Sequence, residues 1–326
     1  VLCSGGALTV NARGKNGIKS GTALDDRDAS LTIRELTLNI EALVNDAINA
    51  EQRLKVESGN LTIAAGEDAI HCDMELNIGA EGTTGPAITV SSCSEGLEGA
   101  VLNIYSGNMN ITSTDDCLNA ANSDLGDYAF EMNISGGTIK AYSSEGDGFD
   151  SNGTLTITGG DISVWTANAA DNQPLDADGR ITISGGTVLA AGGSAGMGFS
   201  ISASQPYVTF GGGRDSSLSL AGGEAFSIAD ESGKSVLDST ALCDAAFLFY
   251  SSPALTAEGR YSVQSTVTAT AKTGEADTQF GGNGGPGGSG GQRPDGMTPS
   301  DGQMPQGQPP QSDGTTPPEL PAASSN

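Results

Sequence analysis

The chain has 326 residues, with 14 Lys+Arg against 40 Asp+Glu and a single His, for a formal net charge of −26. This shortage of bases argues against a nucleic-acid or anionic-membrane partner, since both require a Lys/Arg surface. One His excludes zinc sites built on several histidines and most His-dependent triads, and no run of 18 apolar residues offers a membrane span.

The chain opens on Val1-Leu2-Cys3-Ser4, which has the look of a lipoprotein cleavage site. No charged and apolar leader precedes it, and a strand pattern starts at once with Leu8-Thr9-Val10. The start is therefore read as the interior of a longer, secreted protein. Cys3, Cys72, Cys93, Cys117 and Cys243 are odd in number and include no CxxC pair. They are expected as small buried fillers rather than a zinc or redox motif.

Residues 1–200 carry an internal repeat. An apolar residue, a short Gly-ending corner and a second apolar residue recur as Val56-Glu-Ser-Gly-Asn-Leu61 and Ile104-Tyr-Ser-Gly-Asn-Met109. The same corner returns as Ile134-Ser-Gly-Gly-Thr-Ile139, Ile157-Thr-Gly-Gly-Asp-Ile162 and Ile183-Ser-Gly-Gly-Thr-Val188. The flanking segments alternate apolar and polar, the period of a strand, and Gly permits a sharp turn at positive φ. Later in each repeat stands an apolar anchor: Ile18, Ile48, Ile70, Leu97, Leu118, Phe149 and Leu175, spaced by 30, 22, 27, 21, 31 and 26. Short strands and Gly corners at that period predict an all-β fold, a right-handed parallel β-helix of about seven or eight rungs.

Residues 201–280 lose the rung pattern but still read as strands, among them Tyr207–Phe210, Phe226–Ile228 and Ala246–Tyr250. A small C-terminal antiparallel β cap is expected there, covering the open solenoid end. Residues 281–326 hold 12 Gly and 9 of the chain's 13 Pro. A segment of that composition is expected to be a disordered linker or stalk.

The chemistry sits beside the anchors. Two residues before each stand Asn16, Asp46, Asp68, Glu95, Asp116, Asp147 and Gln173; one residue after stand Lys19, Asn49, His71, Glu98, Asn119, Asp150 and Asp176. Stacked rungs lie about 4.8 Å apart, so the acids would repel and partly protonate unless a cation joined them. Clustered oxygen ligands without thiolate suit Ca²⁺. The candidate ligands are Glu95, Glu98, Asp115, Asp116, Asn119, Asp147, Asp150, Asp176 and Asp178. Asp46 and Asp68 are read as turn caps, and His71 as a hydrogen-bonding turn residue. Aligning Ile139–Ala141 with Ile162–Val164 puts Tyr142 over Trp165, a pair expected to form a flat sugar platform. Lys140 joins them as a candidate carbohydrate contact.

Five segments together resemble the bacterial carbohydrate-binding β-helix family: Ile70-His-Cys-Asp, Asp115-Asp-Cys-Leu-Asn-Ala120, Gly146-Asp-Gly-Phe-Asp-Ser-Asn-Gly153, Pro174-Leu-Asp-Ala-Asp-Gly179 and the corner at 183–188. The resemblance covers roughly residues 5–270 and implies a secreted or cell-surface, Ca²⁺-binding protein of cellulose and acidic plant polysaccharide. The family is distantly similar to the family-nine pectate lyases, whose Asp-Asp-x-x-Asp set holds Ca²⁺; here Asp115, Asp116 and Asn119 match, with Asn in the last place. Those lyases place a Lys base on a later rung. The matching slots here hold Asp150 and Asp176, and Lys140 lies on a different wall.

The leading reading is thus a non-catalytic, calcium-dependent binder of plant cell-wall polysaccharide, expected as an extracellular or cell-surface monomer. The alternative is a Ca²⁺-assisted pectate or other polysaccharide lyase using Lys140 or Arg180 as base. A third reading, supported by the Pro/Gly tail alone, is a surface adhesin or spacer.

Overall fold

The computed structural model describes residues 1–277 apart from 22–28, 126–127, 168–171, 194–199 and 213–217. Every regular element among them is a strand, and no helix is long and apolar enough to cross a membrane. Val1–Gly282 gathers into one compact unit. The tail expected at 281–326 lies outside the described residues.

The fold is a parallel β-solenoid of three walls. The first wall stacks Ala7–Ala12, Leu36–Ala42, Gly59–Ala65, Ala87–Ser92, Asn108–Ser113, Thr138–Ser143, Asp161–Thr166 and Thr187–Gly192. The second wall is built on the anchors. Ile18 pairs Ile48, Ile48 pairs Ile70, Ile70 pairs Leu97, Leu97 pairs Leu118, Leu118 pairs Phe149, and Phe149 bridges Leu175. The register read from the spacing is the register of the fold. The third wall runs from Leu2–Ser4 to Ile181–Ile183, and Ile201–Ala203 extends it by one further parallel pairing.

The interior follows from the alternation. Ile33, Val56, Ile78, Ile104, Ile134, Ile157 and Ile183 form one continuous buried column. Branched side chains stacked rung on rung suit a pleated, fully buried surface. Gly59 shows why the corners need glycine: its φ is +118°, and a Cβ there would collide with the Leu36 carbonyl of the rung below. The five cysteines are free thiols; Cys72, Cys93 and Cys117 are buried fillers as expected, whereas Cys3 and Cys243 stay partly exposed.

The C-terminal region turns antiparallel. Phe247–Ser251 pairs antiparallel with both Thr187–Gly192 and Tyr207–Gly211, ending the first wall. A separate four-stranded antiparallel sheet comprises Ala225–Asp230, Ser235–Thr240, Arg260–Val263 and Val267–Thr270. This cap does not merely close the end. A second core joins Phe226, Ile228, Tyr250, Tyr261 and Val263 to Trp165, Leu189 and Ala191, which point outward from the first wall. The cap therefore lies against the outer face of the last rungs.

Candidate functional site

The slots flanking the anchors stack as their spacing requires. Lys19, Asn49, His71, Glu98, Asn119 and Asp150 are successive partners on the second wall. The turns before the anchors are close-packed. Gly148 sits where a Cβ would collide with the Pro174 carbonyl and the Val164 side chain. That Gly beside Asp147 lets the next rung approach the carboxylates.

The ladder divides into two stretches. In the C-terminal stretch, one carboxylate oxygen each from Asp147, Asp150 and Asp176 lies within 4.8 Å of the others. Asp116 Oδ1 accepts the Asp147 N–H at 2.7 Å, and Asp147 Oδ1 in turn accepts the Gln173 N–H. Part of the acids' work is therefore turn capping, which leaves their second oxygens for something else. Burial pushes Asp116 up to about 8, Asp147 to about 7 and Asp150 to about 6, and the neighbouring aspartates add to each shift. Asp176 is raised for the same reasons. Asp115 and Asp178 contribute as nearby charges on these groups. They do not join the three-carboxylate set.

Two amide oxygens complete the donor inventory. Asn119 Oδ1 and Gln173 Oε1 are buried and have no hydrogen-bond partner among the described residues; their side chains are 7% and 4% exposed. A buried amide oxygen without a donor costs free energy. The three clustered carboxylates, with Asn119 paired to Asp150 and Gln173 bonded to Asp147, offer hard oxygen atoms of the kind Ca²⁺ takes.

The N-terminal stretch is different. Glu95 and Glu98 meet Asp68 rather than the later aspartates, and Asn119 Nδ2 donates to Glu95 Oε2 at 2.9 Å. His71, expected only to bond within its turn, stands among three carboxylates: Asp68 at 2.9 Å and Glu98 at 2.5 Å from Nδ1, and Asp73 at 3.0 Å from Nε2. Burial alone would depress its pKa. Hydrogen bonds to Asp68 and Glu98 and their charges overcome this and carry it to about 11. His71 is thus a built-in cation, doing on its rung what a bound ion would do. Asp68, read as a turn cap, is its main partner and is itself raised to about 6 by burial. The sequence placed both residues in ladder slots; what it lacked was the side-chain contact between them.

The aromatic platform is corrected. Tyr142 and Trp165 are register partners, as aligned, but Trp165 is fully buried, 0% exposed. Its ring packs edge-on against Phe226 of the cap at 6.0 Å and 70°, and its Nε1 donates to Ser163 Oγ at 2.9 Å. Tyr142 is half-buried against the same core. Trp165 therefore offers no open ring face to a sugar. Lys140 is exposed on the first wall, paired with Asn110 and Ser163, away from the acid ladder.

No curated protein and no solved structure matches this chain. A family of carbohydrate-binding domain-containing proteins matches residues 1–198, more than half of the chain and most of the solenoid. The chain belongs to that carbohydrate-binding domain family.

Proposed function

We propose that this domain binds plant cell-wall polysaccharide without cleaving it, in a calcium-dependent manner and at or outside the cell surface. The observation that carries the calcium reading is the meeting of Asp147, Asp150 and Asp176 within 4.8 Å of one another, with Asn119 the register partner of Asp150 and Gln173 bonded to Asp147 through its N–H, each carrying an unpartnered amide oxygen. These residues would hold the ion. When bound, Ca²⁺ supplies positive charge on a protein of net charge −26, through which a uronate carboxylate could be bridged. The residues around it orient that charge: the Asp116 and Asp147 carboxylates each accept a backbone N–H of the next rung, from Asp147 and Gln173 respectively. Membership of a carbohydrate-binding domain family supports a polysaccharide ligand, and the resemblance noted in the sequence points to cellulose and acidic plant polysaccharide.

A lyase needs a base at the sugar C5 beside the cation. Lys140 projects from another wall, and Arg180 faces Glu275 at 3.9 Å. Neither observation favours an eliminating enzyme. The test is sedimentation of the protein with insoluble pectic and cellulosic polysaccharide, in Ca²⁺ and in EDTA. Retention on the pectic polysaccharide in Ca²⁺ that falls in EDTA is expected; no retention on either polysaccharide in either buffer overturns the reading.

A further inference from the structure

We infer that a groove on the N-terminal half of the solenoid, lined on one side by Asn122, Asp124, Leu125 and Tyr128, is a binding site for a neutral, hydroxyl-rich glycan chain, with Tyr128 as its stacking residue. This inference rests on the carbohydrate-binding reading above and names a place and a ligand class for it.

After the second-wall strand Leu118–Ala120, Asn122 comes back over earlier rungs. Asn122 Nδ2 donates to the Asp73 carbonyl at 2.8 Å, 49 residues away in the chain. Between Asn122 and the strands beginning at Arg53 and Ile70 lies a groove of about 760 Å³, within the range of small-ligand sites. Tyr128 lies against Phe130, with ring centroids 5.6 Å apart at 54°, and lines the groove. Among the described residues it is the only exposed aromatic, at 37%. The stacking role expected of Trp165, which the cap buries, has a candidate here. An aromatic ring offers apolar area to a sugar face and a hydroxyl at its edge.

The remaining lining is polar. Gln52 and Asn122 carry amides, and Glu51, Asp73, Glu75 and Asp124 carry acids against one base, Arg53. Arg53 Nε is bound to Glu75 Oε2 at 2.9 Å, so the groove keeps a negative excess. Asp73 is held from behind by His71 Nε2. Carboxylates and amides accept hydrogen bonds from hydroxyls, whereas a uronate entering here would meet like charge. The chemistry therefore selects a neutral chain and needs no ion, which separates this groove from the Asp147 cluster.

The experiment is affinity electrophoresis of the folded protein through gels containing hydroxyethyl cellulose or polygalacturonate, each with Ca²⁺ or EDTA. Tyr128→Ala should raise the apparent Kd for hydroxyethyl cellulose about tenfold, the loss of one aromatic stacking contact. Tyr128→Phe should restore most of the binding, and EDTA should leave it unchanged. Retardation by hydroxyethyl cellulose that is equal in Tyr128→Ala and the parent overturns the groove while leaving carbohydrate binding by this family standing. Equal weakening of polygalacturonate binding by Tyr128→Ala overturns the neutral specificity. A parent retarded by neither gel overturns both the groove and the reading it rests on.

Discussion

Replacing Asp147 and Asp150 together by Asn should stabilise the ion-free protein at alkaline pH and destroy its response to Ca²⁺. Asn keeps the acceptor that Gln173 N–H needs but removes the charge. Asp147 is raised from 3.8 to about 7 and Asp150 from 3.8 to about 6, both first by burial. A carboxylate raised on folding costs nothing below its unfolded value. The cost grows as pH climbs from about 4 and is complete above about 7. At ~1.4 kcal/mol per unit the two shifts amount to about 7 kcal/mol. The groups are only partly buried and share one repulsion, so solvent screening and coupling reduce this to about 3 kcal/mol. For a chain of this size that is roughly 6 °C in Tm. In EDTA the variant should therefore melt about 6 °C above the parent at pH 8, with the gap closing near pH 4. In Ca²⁺ at 100 times Kd the parent should gain about 2.7 kcal/mol and the variant nothing. Differential scanning fluorimetry across pH, with and without Ca²⁺, reads both effects. A variant less stable than its parent in EDTA by the same amount at pH 4 and pH 8 would refute the reasoning, because the acids would then be turn caps alone.

Three further outcomes are expected. Trp165→Ala should destabilise the protein by about 3–5 kcal/mol, the usual cost of emptying a buried aromatic site; a melt unchanged by this substitution would contradict burial under the cap. His71→Gln should lower stability most below about pH 6.5 and progressively less as pH rises towards 11, since a cation whose folded pKa is raised contributes fully below its unfolded pKa and loses that contribution as it deprotonates. Urea melts at pH 6 and pH 10 measure the difference, and an equal loss at both would show that shape rather than charge is at stake. Incubation with polygalacturonate and Ca²⁺ at alkaline pH should yield no 4,5-unsaturated product by ultraviolet absorbance, and steady product that vanishes in Lys140→Ala would promote the lyase.

The repeat was legible because each rung restates the same local rule. A residue facing inward must be apolar, a corner reversing the chain tightly must be Gly, and stacking forces equal offsets onto one line. Hence the anchors from Ile18 to Leu175 paired as spaced. The acids beside them fell into one ladder, and residues 147, 150 and 176 met. At Gly146 and Gly148 the neighbouring rungs approach so closely that only glycine fits.

What the sequence could not decide was everything made by segments that leave the rung and return. Alternation correctly pointed Trp165 outward, but outward is exposed only if nothing covers it; the cap strands, some 60 residues later, bury it. One signal was present: Trp165, Leu189 and Ala191 are apolar on a face that is mostly Thr, Asn and Ser on earlier rungs. Asn122, which lines the groove with Tyr128, is fixed to Asp73 by a hydrogen bond spanning 49 residues, and no local rule predicts such a contact. The reach of His71 to carboxylates on its own and the next rung likewise depends on side-chain direction. Period and spacing place backbones in register. Which side chains meet across rungs, and which faces stay open to a sugar, is decided by packing that joins distant parts of the chain.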